Sequence, residues 1–476
     1  MSRKTLVPRE YQISVRDLAV QRLLGGSPGQ IFMIGLGLGK TISSLLTWLE
    51  MRRLGKVDRL LILAPKRVAE LVWPQELAAW DTFEGLTVVN LCGKTPKQRE
   101  TLIAERADIT IATVDSAAWL GERYDTKGKQ RVLPDMLIVD ESSYFKTWSS
   151  KRNKGLRKVL PRFKARLLLT ATPRSSSVLN LFPQAYLTDG GETLGKRVGA
   201  FKSKFGYQGG FKGYEWIPFP DTDDRVNELM EPISIRLDTQ DYANMPELFV
   251  TSQTCQMPAK AKREYDRLSK EMFLYLSDGE EHSPVNAGTR YLSCKQLSGG
   301  ALYYSQDGEE REVEHYHSAK LEMLLETIQA AQGPCLVAYQ FDFEREMICE
   351  ALRKEKYRIA TINGGTKAAA SLKAVEDWNE DRLDVLVCQC QSVSHGINLH
   401  KGSGRNVIWY GLTDLPEVYS QFNGRLYRPG IEEPVVVTHL LTEGTLDADI
   451  EARLSDKAAR EKSMLDYLRD QLKKGN

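Results

Sequence analysis

Apolar runs recur along the chain at short intervals, each followed by a polar loop or a stretch of helical spacing. In the first half, "RLLILAP", "DITIAT", "DMLIVDE" and "ARLLLTATP" are nearly continuous and rich in β-branched residues and leucine. Such runs predict strands covered on both faces, as in a parallel sheet between helices, with working loops at the strand ends. The second half repeats the rhythm in "PCLVAYQ", "RIATING", "LDVLVCQ", "RNVIWYG" and "PVVVTHL". The pattern therefore predicts an α/β chain of two tandem parallel sheets flanked by helices.

Between the two halves, residues 181–321 read as helix and loop more than strand. "AKAKREYDRLSKEMFLYL" has amphipathic helical spacing, whereas "DGEEHSPVNAGTR" and "SQDGEEREVEHYH" read as exposed loops. A boundary near "LDTQDYANMPEL" gives domains at 1–240 and 241–476. After Thr445 the spacing is helical and densely charged, which predicts a solvated helix on the second domain.

Composition narrows the picture modestly. Lys and Arg number 65 against 63 Asp and Glu, so the net charge of +2 neither demands nor excludes a polyanionic partner, and any nucleic-acid footprint must be local. One candidate is residues 195–216, where Lys196, Arg197, Lys202, Lys204 and Lys212 alternate with Phe201, Phe205, Tyr207, Phe211 and Tyr214. Cations beside stacking rings suit nucleic acid, and a glycine-rich hairpin with half-buried aromatics explains the segment equally well.

Seven cysteines without a zinc-like spacing point to core thiols rather than disulfides, with Cys388 and Cys390 expected on one strand face. His315 and His317 lack partner ligands in sequence and read as surface or structural. No apolar run approaches the ~20 residues needed to span a bilayer, and "MSRKTLVPREYQ" lacks an export-signal core. A cytoplasmic protein with no membrane partner is expected.

Candidate chemistry begins at "MIGLGLGKTISSLL". Gly35, Gly37 and Gly39 precede Lys40 and Thr41 where a strand should turn into a helix, so backbone N–H groups can face phosphates, Lys40 can pair with them and Thr41 can hold Mg²⁺. The strict pattern wants glycine where Ile34 stands. "DMLIVDESS" ends another predicted strand in Asp140 and Glu141, which suit metal holding and water activation respectively. "SQFNGRLYRPG" offers Gln421, Arg425 and Arg428, the arginines predicted on one side of a helix and suited to a γ-phosphate. Their place in the second domain would make ATP a switch for domain motion.

Taken in order, these motifs resemble helicase superfamily two, and within it the Swi/Snf-type ATPases, which have two RecA-like domains and track along duplex DNA. "GLGLGKT" resembles that family's P-loop, which also lacks the first glycine. "PREYQ" resembles its adenine-reading motif, which gives Gln12 that role, with Glu10 in place of the usual proline. "LILAPKRVAELVWPQELAAW", containing Trp73, Glu76 and Trp80, resembles the second block, where Ala64, Pro65 and Lys66 would face DNA phosphates. "DESSYFK" resembles the magnesium and water motif with Lys146 in register, although Ser143 replaces the histidine found in many members.

"LLLTATPRSSSVLNLF" resembles the coupling motif, so Thr170 and Thr172 would link nucleotide state to the DNA site. In the second domain "HSAKLEMLLETI", "INGGT" and "LLTEGTLDADI" are similar to family blocks. "HGINLHKGSGRNVIWYG" resembles the fifth motif through Gly396 and Asn398, with Val393 and Ser394 where a glycine pair is usual. "QFNGRLYRPG" resembles the sixth motif with Gln421, Arg425 and Arg428 in place. The resemblance implies a compact, phage-like DNA translocase that uses ATP and Mg²⁺, binds duplex or branched DNA with little sequence preference, and remodels branched DNA in replication, recombination or repair. With both halves of the site in one chain, a monomer is expected. Two other readings stay open, an RNA or single-strand helicase of the same superfamily and a non-catalytic ATP-binding DNA clamp.

Overall fold

Every apolar run singled out above folds as a strand. The computed structural model describes residues 3–124, 133–171, 178–209, 215–239, 245–277, 284–304, 312–393 and 397–456, and the chain divides into two compact units, Met1–Asn244 and Met245–Asn476.

In the first unit, β1 (Gly29–Ile34), β2 (Leu60–Ala64), β3 (Val88–Asn90), β4 (Ile109–Thr113), β5 (Met136–Asp140), β6 (Ala165–Thr170) and β9 (Ser234–Leu237) form one sheet in the order β3-β4-β2-β5-β6-β1-β9. All its pairings are parallel. Alternate residues feed opposite layers, as a period of two requires: Ile31 and Met33 pack with Leu137 and Val139, while Phe32 and Ile34 pack with Leu60, Ile62 and Trp48. Each large apolar side chain so buried contributes roughly 1.5–3 kcal/mol. A separate antiparallel hairpin joins β7 (Gly206–Gly209) to β8 (Glu215–Pro218).

The second unit holds β10 (Leu248–Cys255), β11 (Ala301–Tyr304), β12 (Glu312–His315), β13 (Cys335–Tyr339), β14 (Ile359–Ile362), β15 (Val385–Gln389), β16 (Asn406–Trp409) and β17 (Val435–Thr442). Its main sheet runs β10-β17-β16-β13-β15-β14, again parallel throughout, and β11 pairs with β12 as a hairpin. The α/β class expected from the apolar runs therefore holds in both units. Among the described residues, no helix is long and apolar enough to cross a membrane.

The segment between the motif blocks holds more strand than its pattern predicts. β9 and β10 add an edge to each sheet, and β10 escaped the pattern because it is exposed along most of its length. Residues 284–298 form a helix where a loop was expected through "PVNAGTR", held by the buried Tyr291, Cys294 and Leu297 that follow. Likewise Glu312–His315 is a strand, not loop; residues 278–283 and 305–311 lie outside the described residues. Cys388 ends up in β15 but Cys390 begins a short helix, so the two do not share a strand face, although both are buried free thiols. His317 is buried with Nε2 at 2.9 Å from the Leu297 carbonyl, whereas His315 is exposed.

One close approach in the first unit yields a test. Helices Ser116–Arg123 and Lys151–Val159 cross backbone to backbone at Gly121 and Gly155, where an added Cβ would collide with the Ala117 carbonyl or the facing glycine. Gly155→Ala should gain about 1 kcal/mol of helix propensity yet lose more to overpacking, a net fall of about 1–2 kcal/mol in denaturant unfolding. Unchanged or increased stability would show that the helices can move apart at no cost.

Candidate nucleotide-binding and hydrolysis site

Because every strand of the first sheet runs the same way, the chain leaves β1, β2, β5 and β6 at one edge, and there the candidate residues gather. β1 stops at Ile34 and a five-residue turn leads to helix Lys40–Arg53. Gly37 and Gly39 have φ of 81° and 75°, the left-handed region that side chains resist, whereas Gly35 is needed for space because a Cβ there would collide with Thr239. Among the described residues no side chain caps the helix, which begins on Gly39, an arrangement in which first-turn N–H groups can meet an anion. Thr41 follows in the first turn, half-buried.

Lys40 reaches back over this turn, its Nζ donating to the Ile34 carbonyl at 2.8 Å. The residue that breaks the strict P-loop pattern thus provides a backbone acceptor, which needs no particular side chain. Gln12 is tied to the same turn. Its Oε1 accepts from the Arg9 N–H at 2.9 Å, its Nε2 donates to the Leu38 carbonyl at 3.3 Å, and the side chain fills the space a Cβ at position 39 would need.

Asp140 ends β5, one strand removed from β1 across β6. Burial pushes its carboxyl pKa up, opposed by a hydrogen bond from Trp73 and by the nearby charge of Lys40. The Trp73 indole donates from Nε1 to Oδ2 at 2.9 Å. Glu141 follows with φ 56° and ψ 64°, a left-handed geometry that costs a non-glycine residue about 1–2 kcal/mol. That turn buries its side chain, whose Oε1 accepts from the Ser143 hydroxyl at 3.0 Å. Strain of this kind gathers at functional sites.

Among the described residues no group of three or more His, Cys, Asp or Glu could by itself hold a metal. Thr41 and Asp140 instead supply a hydroxyl and a carboxylate, the sparse hard-oxygen set with which Mg²⁺ is held mainly by water and substrate phosphates. The donor set fits Mg²⁺.

At the end of β2, Pro65 is buried with its carbonyl accepting from the Ala69 N–H at 2.8 Å, and Lys66 is exposed. A π-turn, Val68–Val72, then leads to helix Trp73–Ala79, and Trp80 Nε1 donates to Glu76 Oε1 at 3.0 Å. Thr170 ends β6, fully buried. Thr172 lies outside the described residues.

In the second unit, helix Pro416–Asn423 carries Gln421 but not the two arginines, which corrects the expectation of a shared helix face. Gly424 ends the helix, and Arg425 and Arg428 follow in the turns beyond it. Arg425 donates from Nε to the Gln421 carbonyl at 3.0 Å and from Nη1 to the Ile397 carbonyl at 2.8 Å. Arg428 donates to the Gly424 carbonyl at 2.6 Å and to Asn398 Oδ1 at 2.9 Å, and burial draws its pKa down to about 10. Asn398 thus joins the cluster, while Gly396 lies outside the described residues. Gln421 is buried with neither amide atom hydrogen-bonded among the described residues.

The basic and aromatic segment turns out differently. Phe201 and Phe205 are buried in the first unit's core, and Trp216 donates to the Lys202 carbonyl at 2.9 Å. These rings are not available for stacking on bases, and β7–β8 is the hairpin of the alternative reading. Tyr207 is exposed, and Phe211, Lys212 and Tyr214 lie outside the described residues. The link from Trp73 to Asp140 had no signal in the sequence, since no spacing rule announces an indole reaching a residue 67 positions away.

Two parallel α/β units, the first opening on a phosphate-type turn with carboxylates at a nearby strand end, define a nucleotide-hydrolysing P-loop protein. Residues 11–297 match the SNF2-related domain and residues 319–430 the helicase conserved C-terminal domain. The first match alone covers more than half of the chain, which belongs to the SNF2-related family and is an ATPase of helicase superfamily two.

The chain is similar to protein p41 of Acyrthosiphon pisum secondary endosymbiont phage 1, at 26% identity over 98% of this chain and 99% of that one. It is also similar to YwqA of Bacillus subtilis, which carries the name of an ATP-dependent helicase/translocase, at 24% identity over 89% of this chain and 45% of that one. It spans about half the length of that relative. Among solved structures, the SWI2/SNF2 ATPase core of Sulfolobus solfataricus in complex with dsDNA aligns over 96% of this chain and 92% of its own, at 19% identity and a TM-score of 0.44.

Proposed function

We propose that the chain is an ATP-driven motor that tracks along duplex DNA and works on branched DNA in replication, recombination or repair. The observation that carries the catalytic part is that Lys40, opening the helix after β1, and Asp140, ending β5 one strand away across β6, stand at the same edge of the first sheet, with Glu141 next in the chain. On this reading the turn at residues 35–39 and Lys40 hold the phosphates, Gln12 reads the adenine, and Thr41 and Asp140 hold Mg²⁺. The metal, when bound, neutralises charge on the phosphate oxygens. Glu141 orients and deprotonates the attacking water, its side chain steadied by Ser143. Gln421, with an unsatisfied buried amide, and Arg425 and Arg428, already fixed on backbone carbonyls, supply hydrogen bonds and positive charge to the triphosphate. Pro65, Lys66, Thr170, Thr172, Gly396 and Asn398 couple that chemistry to the DNA.

Support for a polyanionic track comes from Lys146–Arg166, which holds nine Lys or Arg and no Asp or Glu. Arg152 and Lys164 are ion-paired, Arg157 lies over Trp148, and Arg162 and Arg166 bond backbone carbonyls. Lys151, Lys154 and Lys158 are exposed and unpaired among the described residues. Spaced by three and four, they share one helix face. The first turn of this helix has no acid and begins with cations, against the preference of the helix dipole, which makes the stripe unfavourable until an anion meets it.

Lys40→Ala should lose both ATP binding and turnover, while Glu141→Gln should keep binding and lose turnover by roughly 10²–10⁴-fold, read by fluorescent-nucleotide binding and phosphate release. Normal hydrolysis by Glu141→Gln would overturn the assignment of the base. Replacing Lys151, Lys154 and Lys158 together with Gln should weaken duplex binding alike on all sequences and flatten the slope of log K against log[salt] by about 0.9 for each lost phosphate contact. An unchanged slope in fluorescence anisotropy would remove the stripe from the track.

A further inference from the structure

Trp73 is completely buried, and its only polar atom is spent on the carboxylate read above as the metal holder. A buried indole N–H usually finds some acceptor: in this chain Trp378 takes the Leu399 carbonyl and Trp409 the Asn423 amide oxygen. Trp48, equally buried in the same unit, finds none among the described residues. The fold therefore neither forces every indole to be satisfied nor lacks carbonyl acceptors. Against that background, a bond from Trp73 to the carboxylate at the end of a neighbouring strand is a specific arrangement.

The approach to Trp73 is equally specific. Between Lys66 and Trp73 the chain makes the π-turn Val68–Val72, anchored by the Ala69 N–H on the Pro65 carbonyl. A π-turn holds one residue more than an α-turn and rotates everything after it by about 100° relative to an uninterrupted helix, a costly geometry that recurs at functional sites. Here the first residue after it is the tryptophan. β2 and β5 are hydrogen-bonded neighbours, so the loop carrying Pro65 and Lys66 and the strand ending in Asp140 are joined twice, through the sheet and through the indole. With one oxygen held, the Asp140 carboxylate can no longer rotate freely and offers a cation one orientation.

We propose that Trp73 is a positioning residue for the hydrolytic metal: its indole N–H fixes Asp140 in the orientation that receives Mg²⁺, and the π-turn seated on Pro65 sets where that N–H points. The proposal rests on reading Asp140 as a metal holder. Partners of this kind, one bond removed from a metal, typically change metal affinity by 10–100-fold when lost.

The test titrates Mg²⁺ into the protein with a fluorescent ATP analogue and reads nucleotide binding rather than turnover. Trp73→Phe should bind the analogue in EDTA as the parent does, but need about 10-fold or more Mg²⁺ for half of the metal-dependent tightening. Benzothienylalanine at position 73 keeps the shape of the indole and removes only the N–H; it should behave the same way, and it serves if the Phe variant folds poorly. Trp48→Phe controls for loss of an indole from the same core and should titrate like the parent. Asp140→Asn should abolish the Mg²⁺-dependent tightening. If Asp140→Asn loses it while both position-73 variants match the parent, the indole's role is overturned and the site reading stands. If Asp140→Asn titrates like the parent, the site reading itself fails and the proposal with it.

Discussion

A parallel sheet places the ends of all its strands along one edge, and the first unit's chemistry depends on that constraint. Residues as far apart in sequence as Lys40, Pro65, Asp140 and Thr170 become neighbours of neighbours because β1, β2, β5 and β6 stop at the same level. Parallel strands need crossover connections, so helices cover both faces, and strands buried on both faces need apolar residues at every position. The same requirement that made these runs visible as strands leaves the turns beyond their ends as the place where polar side chains can gather.

Placing charges at such an edge is costly, and the structure shows how each is offset. Asp140 is desolvated, and an indole and an ammonium oppose the resulting rise in its pKa. Arg425 is fixed by bonds to the Gln421 and Ile397 carbonyls, and Arg428 by bonds to the Gly424 carbonyl and the Asn398 amide oxygen. Elsewhere in the second unit a buried charge is offset by a closed ion pair: Lys320 and Asp447, both buried, meet at 2.5 Å.

Much of this was legible in the sequence, for physical reasons. Strands buried on both faces leave an unbroken apolar record, and "GLGLGKT" records its turn because only glycine accepts the left-handed φ at positions 37 and 39. Family motifs in order carried the rest, and the SNF2-related match agrees with them. What escaped had weaker records. β10 is exposed and lacks the apolar signature of a buried strand, and helix Pro284–Ser298 opens with residues that usually make turns. The end of helix Pro416–Asn423 before Arg425 turned on one glycine, whereas the spacing of the arginines suggested continuation. Phe201 and Phe205 looked like a stacking surface because alternating aromatics and cations suit a nucleic-acid face and a folded hairpin alike, and only packing tells them apart.

On the proposed function, ATP turnover by this chain answers to duplex DNA. The most direct measurement is steady-state ATP hydrolysis with no nucleic acid, single-stranded DNA, duplex DNA, a branched junction and RNA, with Lys40→Ala as the blank. Strong stimulation by duplex or branched DNA, falling as salt is raised, is the expected result. Stimulation by RNA or single strands alone, or turnover indifferent to all of them, would contradict it.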